Sequence, residues 1–83
     1  MGQGEKRLEQ MRSNPKGGWG IDDVQVVCDA AGVTLRPPNG GSHYKVTHES
    51  QREILTVPCD RPIKSVYIRR LVAYIDAVRD KEP

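Results

Sequence analysis

From residue 21 to residue 31 the apolar side chains Ile21, Val24, Val27, Cys28 and Ala31 recur at i, i+3, i+6, i+7 and i+10, one face of an α-helix. Asp22 and Asp23 in its first turn suit the positive end of the helix dipole, and Gly32 fits the left-handed position just past its end. A second stripe, Ile68, Leu71, Val72, Ile75 and Val78, predicts a C-terminal helix over 65–79, with Tyr67 and Tyr74 beside the stripe. Residues 5–13 read as a shorter helix whose contact stripe is only Leu8 and Met11; the Asn14-Pro15-Lys16-Gly17-Gly18 run ends it.

Between the helices the period changes to two. Residues 33–36 and 42–48 alternate polar and apolar positions and read as two short strands, and residues 53–57 read as a third. The turn residues 37–41 (Pro-Pro-Asn-Gly-Gly) and the polar stretch 49–52 separate them. In the middle strand Tyr44 and Val46 share one face, while His43, Lys45 and Thr47 share the other. Leu55 and Val57 are the inward pair of the third strand. The order is α-α-β-β-β-α: an α+β two-layer sandwich whose three-stranded antiparallel sheet is covered on one face by helices and open on the other.

The 83 residues hold one domain with a modest core. Residues 1–18 read as a helical extension, 19–80 as the domain and 81–83 as a frayed tail. Charge changes the picture through its distribution more than through its net value of +2. From residue 36 to residue 70 there are seven basic residues (Arg36, Lys45, Arg52, Arg61, Lys64, Arg69, Arg70) against three acids (Glu49, Glu53, Asp60). Residues 21–31 carry three Asp and no basic side chain. Such asymmetry suits a polyanion on one face, although solvated charged faces give the same pattern. Cys28 and Cys59 match no metal or redox spacing, and Cys28 fits a core position. No apolar run reaches the ~18 residues of a membrane span and no signal-peptide pattern opens the chain. The expectation is a soluble, cytoplasmic protein with no membrane partner and no cofactor.

Strand parity directs attention to His43. It points away from the core, follows Gly40-Gly41-Ser42, and shares its face with Lys45. Small residues at Gly41 and Ser42 let a phosphate backbone approach closely. An imidazole accepts or donates a proton near neutral pH, so one on an open face beside a cation suits acid/base chemistry on a phosphodiester. RNA supplies its own nucleophile in the 2′-hydroxyl, and the reaction then needs no metal. Lys64, Arg69 and Arg70 are further candidate phosphate ligands around the start of the last helix. Trp19 and Tyr67 are aromatic enough to stack on bases, but a lone Trp in so small a chain also suits packing. His48, at the strand end, suits a capping or packing role. No Walker motif, Ser/His/Asp set, paired acidic site or zinc-ligand cluster is present in the sequence.

The segments Gly41-Ser42-His43-Tyr44 and Leu55-Thr56-Val57-Pro58, followed by a closing helix, resemble the HicA family of toxins. So do Asn14 to Trp19 and Arg61-Pro62-Ile63-Lys64 with Val66-Tyr67, and the likeness spans residues 14–76. Gly20 departs from an expected Ser or Thr helix cap, and Ser65 stands where a Pro often opens the last helix; both bear on stability alone. The resemblance implies a fold like that of a double-stranded-RNA-binding domain and cleavage of messenger RNA without the ribosome. It also implies that the histidine of the Gly-Ser-His motif, His43, is the essential residue, and that a HicB-type antitoxin is the protein partner. On the residues alone two rivals stand beside a nuclease: a non-catalytic RNA-binding module and a protein-interaction module.

Overall fold

The computed structural model describes residues 2–81. Its elements are α1 (Gln3–Ser13), α2 (Ile21–Ala31), β1 (Thr34–Arg36), β2 (His43–Thr47), β3 (Leu55–Pro58) and α3 (Ser65–Asp80). This is the order the periodicities predict. The expected frayed tail lies outside the described residues apart from Lys81, which forms a turn after α3.

The three strands form one antiparallel sheet in the order β1-β2-β3, so β2 is central and β1 and β3 are edges. On β1 and β2, Leu35 stands opposite Val46 and Arg36 opposite Lys45. Across β2 and β3 the partners are His43 with Pro58, Tyr44 with Val57, Lys45 with Thr56 and Val46 with Leu55. Directly opposed residues share a face. The register therefore collects Leu35, Tyr44, Val46, Leu55 and Val57 on one side, and Arg36, His43, Lys45 and Thr56 on the other.

The apolar side meets α2 and α3, while α1 packs across those two helices. The periodic residues of both long stripes join Val46 of β2 in one core: Val24, Val27, Cys28, Val46, Ile68, Leu71, Ile75 and Val78 are almost fully enclosed. Leu8 and Met11, the whole apolar stripe of α1, reach the same core. Trp19 also packs against it, its Nε1 donating to the Asn14 carbonyl at 2.9 Å. The α1 contacts are reinforced at the rim by Arg12, whose guanidinium donates two bonds to Asp76 at 2.7 and 2.8 Å, and by Arg79 with Glu5.

The strand ends differ from the expected bounds, and β2 is shorter than 42–48 by Ser42 and His48. Val33 is buried but precedes the ladder, because its N–H is taken by the Cys28 carbonyl at 3.0 Å as the chain leaves α2. Glu53 and Ile54 belong to the β2–β3 connection, which is held by His48: Nδ1 accepts from the Ser50 N–H at 3.0 Å, and its carbonyl accepts from the Gln51 N–H at 3.0 Å. At the other end β3 runs on through Pro58. An edge strand tolerates a residue without an N–H, so proline does not terminate it. The missing Ser or Thr cap of α2 is met from the other side, with the Asp23 carboxylate accepting from the Gly20 N–H at 3.0 Å.

Candidate nucleic-acid interface

His43 opens β2, and its backbone neighbour fixes where it begins. The Ser42 carbonyl accepts from the Cys59 N–H at 2.8 Å, which carries the β2–β3 pairing one residue past the ladder. The loop 37–42 is thereby anchored at its second end. Gly40 in that loop has φ 85°, a conformation that favours glycine, and Gly41 would place a Cβ in open space. The His43 side chain is exposed on the sheet face turned away from the helices.

Two clefts meet at His43. One, about 450 Å³, lies between the loop and the open sheet face, and is lined by Arg36, Asn39, Gly40, Gly41, His43 and Lys45 among others. The other, about 740 Å³, runs between β3 and α3. His43, Glu53 and Thr56 line its sheet side, and Tyr67, Arg70 and Ala73 line its helix side. The helix residues lie three apart, so successive turns of α3 present them to the same groove. The Arg70 guanidinium lies over the Tyr67 ring, 5.8 Å from its centroid.

The first cleft is electropositive. Arg36 and Lys45 are exposed cross-strand partners, and neither has an ion-pair partner among the described residues. Opposed like charges destabilise a sheet slightly. Their persistence on the face that bears His43 leaves a site with room for an anion between them.

The candidate phosphate ligands divide. Gly41 and Lys45 line the first cleft with His43, Ser42 adjoins His43 in the chain but lines neither cleft, and Arg70 reaches the second cleft from α3. Lys64 lines a separate hollow with Lys16, Pro62 and Val66. Arg69, one residue before Arg70, lines neither cleft at His43. Arg36 and Thr56 were not among the sequence candidates. Both follow from register, since each stands directly across from Lys45. That signal is invisible until the lengths of the two connecting loops are known.

His48 turns its ring into the β2–β3 connection, where Nδ1 meets Ser50 Oγ at 2.8 Å. Burial pushes the Cys28 thiol up to about 12 and raises the Tyr74 hydroxyl, which donates to the Glu53 carbonyl at 3.2 Å. His48 and Cys28 are built into the structure and stand apart from the open face, whereas Tyr74 also lines the cleft between β3 and α3. Among the described residues no three His, Cys, Asp or Glu side chains gather as a metal-ligand cluster. No described helix is long and apolar enough to cross a membrane. No family model matches this chain, and neither a curated protein nor a solved structure matches it.

Proposed function

We propose that the chain is an endoribonuclease of the HicA toxin type, cleaving messenger RNA in the cytoplasm with His43 as its catalytic residue. One observation carries the proposal: the exposed imidazole stands where two clefts meet, beside Arg36 and Lys45, two cations with no ion-pair partner among the described residues.

In the reaction this geometry supports, His43 takes the proton of a 2′-hydroxyl as the oxygen attacks the adjacent phosphorus. The bond to the 5′-oxygen breaks, and that oxygen receives a proton, leaving a 2′,3′-cyclic phosphate on one fragment and a 5′-hydroxyl on the other. Lys45 and Arg36 neutralise the non-bridging oxygens as charge accumulates on them. Gly41 and Ser42 keep the loop low enough for the backbone to pass. The leaving oxygen takes its proton from a separate donor, either water or the Lys45 ammonium, and His43 gives up the abstracted proton to solvent before the next turnover. A HicB-type antitoxin would silence the enzyme by covering the same open face.

The chemistry is tested at the products. An oligoribonucleotide cut by the purified protein should end in a cyclic phosphate, and a single 2′-deoxy substitution at the cut position should block cleavage there. A product with a 5′-phosphate, or cutting that survives the 2′-deoxy substitution, refutes this mechanism.

A further inference from the structure

The groove between β3 and α3 has features that phosphodiester chemistry does not call for. Its helix wall carries two flat groups together, the half-buried Tyr67 ring and the Arg70 guanidinium over it. Farther along, Ala73 and Ala77 add little bulk to that wall on either side of Tyr74, whose hydroxyl reaches the Glu53 carbonyl. The opposite rim carries Glu53, whose carboxylate has no cationic partner among the described residues. Its backbone is held in place by the Tyr74 hydroxyl.

An unpaired carboxylate repels the phosphates of a nucleic acid, so the sugar–phosphate chain does not run along this rim. Flat aromatic and guanidinium groups instead favour an unstacked base. A carboxylate in the plane of that base accepts hydrogen bonds from it and offers none. Guanine alone presents two adjacent donors, N1–H and N2–H, matching the two oxygens of one carboxylate. Adenine and cytosine each set a ring acceptor beside their amino group, and uracil flanks its single N3–H with two carbonyls.

We propose that this groove is a nucleobase subsite selective for guanine, with the Arg70 guanidinium, backed by the Tyr67 ring, stacking on the base and Glu53 reading its Watson–Crick edge. Because His43 lines both clefts, the guanine belongs to a nucleotide adjoining the phosphate held by Arg36 and Lys45. The subsite rests on the RNA-cleaving reading and adds a sequence preference to it.

Uncleavable probes separate the two. Fluorescein-labelled 2′-O-methyl hexanucleotides, one all-uridine and one carrying a single guanine, are titrated into the intact protein by fluorescence anisotropy at low salt. The guanine probe should bind about 10-fold more tightly, the scale of a bidentate base contact. Glu53→Gln, at an exposed position where folding is not at stake, should remove that preference without weakening the uridine probe. Tyr67→Leu, which keeps apolar bulk, should weaken the guanine probe about 10-fold, with circular dichroism confirming the fold. Equal affinity for both probes, or a preference that survives Glu53→Gln, overturns the guanine subsite; if Lys45→Ala still weakens both probes, the RNA reading stands without it. Failure to bind either probe removes the subsite and the RNA reading together.

Discussion

Arg36 and Lys45 face each other across the β1–β2 ladder, on the sheet face that carries His43, with no carboxylate among the described residues paired to either. Two cations so placed release condensed counterions when a single strand binds, which sets the salt dependence of affinity. Arg36→Ala and Lys45→Ala should each flatten the slope of log affinity against log salt by about 0.7. Lys64→Ala and Arg69→Ala, whose side chains lie off the two clefts, should leave the slope unchanged. Titrations at four or five salt concentrations give all four slopes, and an effect of Lys64 or Arg69 equal to that of Lys45 contradicts this placement.

Acid should loosen α1 before the rest of the molecule. The hydrogen bonds from Arg12 hold the Asp76 carboxyl below its ordinary value. A carboxylate with a depressed folded-state value stabilises the fold fully above its unfolded value of about 3.9, and that contribution is lost as pH falls through the lower folded value. Both side chains are well exposed, so the gain is modest. Asp76→Asn should melt slightly below wild type at pH 6, and the gap between the two should narrow as pH falls below about 4.

Gly4 stands where α1 crosses α2 with almost no clearance. A Cβ there would lie 2.2 Å from Ala30 Cβ and 2.8 Å from the Val26 carbonyl oxygen. Alanine is the better helix former by about 1 kcal/mol, yet overpacking costs about 1–3 kcal/mol. Gly4→Ala should therefore lower stability in urea unfolding. A stabilised variant would show that α1 can slide away at no cost.

The two cysteines should react at very different rates. Cys28 is fully buried with its thiol pushed up to about 12, whereas Cys59 is exposed. A thiol reagent at pH 8 should modify one cysteine rapidly in the native protein and the second only on unfolding, with peptide mapping assigning the first to Cys59.

Most of the fold is legible in the sequence because burial imposes its period on the chain. The stripes Val24-Val27-Cys28 and Ile68-Leu71-Val72-Ile75 name the helix faces that meet the sheet, and Tyr44 with Val46 names the face of β2 that meets the helices. The parity that turns His43 outward follows from the same alternation. The strand ends do not. Glu53 and Ile54 read as the start of the third strand, yet they lie in a connection shaped by His48 and Ser50, with Ile54 58% exposed. Polar side-chain bonds of that kind leave no periodic trace. Cross-strand neighbours are hidden for a related reason. Arg36 and Thr56 meet Lys45 through a register set by two loops whose conformations no local pattern encodes. The separation of Arg69 from Arg70 could be read from helical geometry only once the buried stripe was known to exclude the groove face.

His43 is the centre of the account, and its removal is the most direct trial. Its exposed side chain contributes little packing, so His43→Ala should melt within about 4 °C of wild type. The decisive measurement is cleavage of a defined messenger RNA by the purified protein in EDTA, wild type beside His43→Ala. The account predicts cutting by wild type and none by the folded variant. Equal cutting by both proteins, or none by wild type, would contradict it.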